Sequence, residues 1–175
     1  DVTAIGTGGD DVGGVAGSNG GTLRNATASG NVTGTEEVGG VAGSNDGTVR
    51  TATASGSVTG TDVVGGLIGS NTGTITNVTA AGNVTGIDEV GGVVGDNTGV
   101  ITASTGAGNV NGSDGIGGLV GDNDGEGTDD GIISRSIASG EVTGGDKVGG
   151  LVGSNLGGEI NLSVATGSVI IQSSQ

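Results

Sequence analysis

Apolar and polar positions along this chain follow two schedules that alternate within a fixed period. The first is a glycine-spaced apolar patch, VGGLIGSNTG from Val64. It returns as VGGVAGSNGG from Val12, VGGVAGSNDG from Val38, VGGVVGDNTG from Val90, IGGLVGDNDG from Ile116 and VGGLVGSNLG from Val148. The second is period-two alternation, as in TITNVTAAGNVTG from Thr74, where Ala80, Gly82 and Val84 share one face and Thr79, Ala81, Asn83 and Thr85 the other. The first five copies start 26 residues apart, and six inserted residues place the sixth 32 after the fifth. A fixed period of this size marks stacked supersecondary units, none of which can bury its apolar face alone.

Superposing the copies gives columns. An inward column reads Val32, Val58, Val84, Val110, Val142 and Val169, and an outward one Thr27, Thr53, Thr79 and Thr105. Such columns arise when like strands stack in parallel register, each coil bonded to the one above and below. The pattern therefore predicts an all-β fold, a single parallel β-solenoid (β-helix) of about six coils over residues 1–175. Repeat cores start near residues 12, 38, 64, 90, 116 and 148, with an insertion at 122–131. At about 4.8 Å per strand the rod is roughly 30 Å long. Gly39 and Gly40, Gly65 and Gly66, and Gly91 and Gly92 are expected to serve close backbone approach or positive-φ bends, while Leu67 and Ile68 supply buried volume. Asn19, Asn45, Asn71, Asn97, Asn123 and Asn155 form one column, most economically an amide ladder.

Composition narrows the class. With 45 glycines and no aromatic, Met, Cys, His or Pro residue, an ordinary globular core is hard to build, yet the 31% of apolar residues recur too regularly for disorder. No apolar run is long enough to span a membrane. Nineteen acidic residues stand against Arg24, Arg50, Arg135 and Lys147, a net charge of −15 that repels phosphate backbones, so nucleic acid is set aside. An acidic, lysine-poor surface also suits a protein that works in strong brine, where salt screens self-repulsion.

The unit GGLIGSNTGTITNVTAAGNVTG and its sisters GGVAGSNDGTVRTATASGSVTG and GGLVGSNLGGEINLSVATGSV resemble the GLUG motif, a glycine-rich repeat of bacterial and archaeal surface proteins. The resemblance runs from about Val12 to Val169 through a G-[LV]-x-G core, an Asn-x-Gly and an A-x-G-x-V tail. It implies an extracellular or cell-surface repeat protein, stalk-like or adhesive. Some members of the family are attached to secreted metallopeptidases, but a chain without histidine has no H-E-x-x-H zinc helix.

Candidate chemistry is sparse. The acidic column Glu36, Asp62, Asp88, Asp114 and Asp146, flanked by Asp11, Glu37 and Glu89, offers paired carboxylates, as polysaccharide-cleaving solenoids require. Catalysis needs carboxyls in unlike environments, whereas a repeated column gives each coil a similar one, so a solvated or cation-binding edge is expected and not an enzyme. The insertion DNDGEGTDDG carries Asp122, Asp124, Glu126, Asp129 and Asp130 between glycines; it reads either as a calcium loop or as a solvated acidic loop. It departs from the EF-hand, which needs a twelfth-position Glu and flanking helices. Six sequons lie at Asn25, Asn31, Asn77, Asn83, Asn111 and Asn161. By alternation the first four point outward, with Asn161 on the opposite parity.

Three function classes follow: a structural surface module, an adhesin for glycans or host cells, and an ice-binding face built on Thr33-Gly-Thr35 and Thr59-Gly-Thr61, an array that decays in later copies. Beginning at Asp1 rather than Met, the chain reads as a mature product or a piece of a longer precursor. Neither DVTAIGTGG nor SVIIQSSQ looks like a cap, so the ends are expected to pair, either with further coils of one precursor or with other copies head to tail.

Overall fold

Short strands of two to five residues survive only if every backbone group finds a partner elsewhere, and in this protein the partner is always the neighbouring coil. The computed structural model describes residues 2–3, 11–125, 127 and 130–172. One coil contributes five strands, for example Val64–Gly65, Ile68–Asn71, Thr74–Thr76, Thr79–Ala80 and Val84–Thr85. These stack into five parallel sheets, called here the first to fifth in that order. The first four have six strands and the fifth has seven. The parallel solenoid of about six coils expected from the period is the observed fold.

Register follows the columns read from sequence. In the fifth sheet Val32, Val58, Val84, Val110, Val142 and Val169 are successive partners. The strand Val2–Thr3 adds a seventh rung against Val32–Thr33. In the fourth sheet Thr27, Thr53, Thr79 and Thr105 stack likewise. Alternation then sends Ala80, Gly82 and Val84 inward and leaves Thr79, Ala81, Asn83 and Thr85 exposed.

The interior consists of two apolar columns running along the rod. One stacks Leu67, Ile68, Ile75, Val78 and Ala80 with their equivalents between the second, third and fourth sheets. The other stacks Val58, Val64, Val84 and Val90 with theirs between the first and fifth. Ile75 and Val64 are fully buried, and burying a side chain of that size contributes about 1.5–3 kcal/mol. Repetition of the same small aliphatic residues thus builds a continuous core without one aromatic ring.

Glycine solves a packing problem where the chain doubles back between the first and second sheets. A Cβ on Gly91 would overlap the carbonyl oxygen of Val94 in the same coil. A Cβ on Gly95 would lie 2.8 Å from both the carbonyl carbon of Val63 and the amide nitrogen of Val64, in the coil before. Two backbones touch there with nothing between them, which is the role of the V-G-G-x-x-G core. The sequence left open whether its paired glycines serve close approach or positive φ, and close approach is what they do.

Left-handed backbone falls elsewhere, mostly on residues with side chains. Asn25, Thr51, Asn77, Ala103, Arg135 and Leu162, with φ between 49° and 54°, form one such column where the third sheet turns into the fourth. Glu37, Val63, Glu89, Gly115 and Lys147 form a second column ahead of the first sheet. Each non-glycine residue there costs about 1–2 kcal/mol, and the stack holds it because the ladder runs unbroken through the corner. The amides of Asn25, Thr51 and Asn77 each bond at 3.1 Å to Arg50, Thr76 and Thr102 carbonyls of the next coil.

The asparagine column is a side-chain ladder. Nδ2 of Asn19, Asn45, Asn71, Asn97 and Asn123 each donates to Oδ1 of the next rung, ending at Asn155, at 2.7 Å throughout. From Asn45 to Asn123 these side chains are completely buried. The second Nδ2 hydrogen closes the following turn locally, as when Asn97 donates to the Gly99 carbonyl at 3.2 Å.

The insertion begins later than its composition suggests. Asp122 and Asp124 belong to the regular strand Val120–Asp124, with Asp122 in register on Asp96. The six extra residues therefore follow Asp124, and the chain rejoins the ladder at Gly131, whose amide bonds to the Thr98 carbonyl at 2.9 Å. Asn123 closes the loop by donating to the Gly131 carbonyl at 2.7 Å.

Candidate functional site

The acidic residues gather where the second left-handed column meets the mouth of the doubled-back first and second sheets. Asp88, Asp114 and Asp146 are successive register partners, with Asp62 one coil earlier. Glu89 follows Asp88 in the left-handed corner, and across the mouth stand Asp96 and Asp122 on adjacent rungs of the second sheet. A groove of about 270 Å³ opens between them, lined by Asp62, Asp88, Glu89, Asp114, Gly115, Asp122 and Lys147.

Parallel register forces these carboxylates to face like charges one strand spacing away, about 4.8 Å. Burial raises Glu89 from its ordinary 4.5 to about 7, with further upward pushes from Asp96, Asp62, Asp122 and Asp124. Burial likewise raises Asp96 to about 6, helped by Asp124 and Asp122 and opposed by a hydrogen bond from the Asn97 backbone. One ion pair is found among the described residues, Lys147 Nζ to Asp114 Oδ2 at 3.5 Å, and both partners are about half exposed. The Oδ1 atoms of Asp114 and Asp122 are buried without a hydrogen-bond partner. The groove can thus take up protons near neutral pH and attract cations. Among the described residues no group of three or more acidic side chains converges closely enough to hold a metal ion.

Of the calcium candidates, Glu126 and Asp129 lie outside the described residues. Asp122 and Asp124 join the groove's charge system, and Asp130 is exposed at the end of the insertion. Sequence reasoning treated the acidic column as uniform and missed Asp96. The signal was present, because the residue before each ladder asparagine is Ser18, Ser44, Ser70, Asp96, Asp122 and Ser154. Two of six positions there exchange a neutral side chain for a charge.

A second grouping is basic. Arg24 and Arg50 are register partners at the end of the third sheet, both exposed, bordering a groove of about 140 Å³ with Asn25, Thr51, Thr76 and Asn77. All six sequon asparagines are exposed. Asn31 and Asn83 accept hydrogen bonds through Oδ1 from the amides of Ser57 and Asn109 at 3.0 and 3.1 Å. Asn161, placed on the opposite parity by simple alternation, pairs with Ser134 on an outward column, because the left-handed corner after it resets the parity.

No curated protein and no solved structure matches the chain. The described residues contain no helix long and apolar enough to cross a membrane. The GLUG motif matches residues 60–85, the coil that runs from the acidic corner through the glycine-packed turn to the inward valine, and the other coils stack on it in register, consistent with a GLUG repeat protein.

Proposed function

We propose that this chain is a non-enzymatic structural repeat protein of the cell exterior, a stalk or a subunit that extends head to tail. The observation that carries this reading is the identity of successive coil interfaces. Each coil offers the next the same backbone ladder, the same valine and isoleucine columns and the same asparagine rung. A surface of that kind is complementary to another copy of itself. On the last described coil, Val169 is 44% exposed and Ile160 39%, whereas Val142 and Ile133 beneath them are fully buried. A further coil, from the same polypeptide or a second copy, would cover both. Contacts of this head-to-tail type do not close and so grow linearly.

The acidic surface, the exposed sequons and a sequence without aromatic residues support an exterior, salt-tolerant module over a catalyst. The test is sedimentation of the chain across protein concentration in strong salt, with electron microscopy of the same samples. Concentration-dependent fibres one coil-stack wide support the subunit reading. A monomer at every concentration, without fibres, removes it and leaves the stalk segment.

A second reading, a calcium-dependent adhesin module, is favoured by the partnerless buried Oδ1 of Asp122 beside the insertion. It predicts that millimolar calcium raises the Tm of the wild-type chain, since a ligand bound only to the folded state stabilises it. Replacing Asp122 and Asp124 by Asn should abolish the rise. No calcium-dependent shift in the wild type would end this reading.

A further inference from the structure

Arg24 and Arg50 stand in an arrangement their own chain does not explain. They are exposed register partners, so two like-charged side chains leave the backbone about one strand spacing apart. The chain has only two other side-chain cations, and among the described residues neither arginine meets a carboxylate; the ion pair found there belongs to Lys147 and Asp114. The left-handed residues Asn25 and Thr51 directly after them turn the chain sharply, leaving both arginines along the edge of the open groove. At a different corner Asp62 and Asp88 are exposed one coil apart, with the Asp88 amide bonded to the Thr61 carbonyl at 3.2 Å.

We propose that the Arg24–Arg50 corner docks the acidic edge of a second copy of this chain, one arginine to each of Asp62 and Asp88. Both pairs ride on the same hydrogen-bond ladder, so their axial spacings agree whatever the rod's detailed dimensions. A guanidinium fork takes a carboxylate through two parallel hydrogen bonds, which fixes the register of one rod against another. Asp62 follows Arg24 by 38 residues, as Asp88 follows Arg50, about one and a half 26-residue coils, so parallel rods engage with a stagger of about one and a half coils. Each copy then uses its basic corner on one neighbour and its acidic edge on the other, a contact that does not close and spreads sideways.

Exposed ion pairs are individually weak, so the contact has most effect where many copies are held in line; to that extent it builds on the filament reading. Salt acts twice. The net charge of −15 drives rods apart until salt screens it, whereas molar salt, with a Debye length of about 3 Å, weakens the pairs themselves. Side-by-side attraction is therefore greatest at intermediate ionic strength.

The experiment measures the second virial coefficient of the unglycosylated chain by light scattering from 0.01 to 2 M NaCl, which needs no filament to form, and filament width by microscopy where filaments do. The wild type should show a minimum in the coefficient at intermediate salt. R24T/R50T/T27R/T85R, with the same net charge but scattered arginines, should lose that minimum. The charge swap R24D/R50D/D62R/D88R should recover it. Filament length reports end-to-end growth separately, so a failure of that reading is distinguishable from a failure of this one. A wild type without the minimum, a scattered variant that keeps it, or a swap that does not restore it would overturn the proposal. Arginine-dependent binding of polygalacturonate by a wild type lacking the minimum would reassign the corner to an external polyanion.

Discussion

Asp96 and Asn97 are consecutive residues in one strand, and they show opposite consequences of stacking in register. Asn97 points inward onto an identical rung above and below, and because an amide both donates and accepts, each repetition adds a hydrogen bond. Asp96 stacks on Asp122, and because a carboxylate only accepts, repetition adds repulsion to the burial that already raises its proton affinity. A parallel solenoid amplifies whatever a side chain does to its own kind. That is why asparagine occupies all six rungs of its column, while aspartate replaces serine in only two rungs of the next.

The contrast can be broken most severely at the turn beneath it. Gly91→Ala places a methyl group against the Val94 carbonyl, so the first and second sheets must separate. The expected loss exceeds about 4 kcal/mol, the range of rare, severe substitutions, and chemical denaturation would show it as unfolding or a collapse of the midpoint.

Asn97→Ala comes next. It leaves one of the two Nδ2 hydrogens of Asn71 without an acceptor, the other still held by the Gly73 carbonyl, and Asn123 Oδ1 without a donor in a completely buried column. At about 1–3 kcal/mol for each stranded group, the cost is about 3 kcal/mol. With a Tm sensitivity of about 2–4 °C per kcal/mol for a chain this long, calorimetry should register a fall of about 10 °C. A fall below about 2 °C would mean that the ladder is ornamental.

The charged column predicts a smaller effect and a definite sign. The folded state holds a proton on Glu89 up to about pH 7, whereas the unfolded chain releases it near 4.5. Stability from this group is fully present below about pH 4.5 and is lost as pH rises through 7, because there the folded state binds more protons than the unfolded one. Discounted for the half-exposed site, the effect is on the order of 1 kcal/mol. The wild-type Tm should therefore be about 2–4 °C higher at pH 5 than at pH 8, and Glu89→Gln should flatten the difference. An unchanged slope in that variant would place the effect elsewhere.

The smallest prediction inverts the usual direction of a mutation. Asp96→Ser, which restores the residue found in four of the six copies, should raise the Tm by about 2 °C at pH 8 and by less at pH 5. Equal gains at both pH values would show that charge is not the cause.

The solenoid was legible in sequence because its determinants are periodic. Val32 to Val169, Thr27 to Thr105 and Asn19 to Asn155 each report a single environment several times, so one alignment of the copies fixes face and register together. The corners were less legible. Left-handed backbone at Thr51, Val63 and Ala103 contradicts local preference and is imposed by the ladder on either side. The groove was half visible for a related reason: Glu89 and Asp96 lie seven residues apart and meet only because glycine lets the first and second sheets nearly touch. Asp122 and Asp124 were misread as loop because composition changes at the insertion before the backbone does.

The asparagine ladder exists only if the coils stack in register, and side-chain amide hydrogen exchange measures it directly. In a two-dimensional nitrogen–proton spectrum, the Nδ2 protons of Asn45, Asn71, Asn97 and Asn123 should exchange as slowly as the backbone amides of their strands, while those of exposed Asn109 exchange at the rate of free asparagine. Slow exchange confined to the ladder residues is the predicted result. Ladder amides that exchange as fast as Asn109 would contradict the in-register stack.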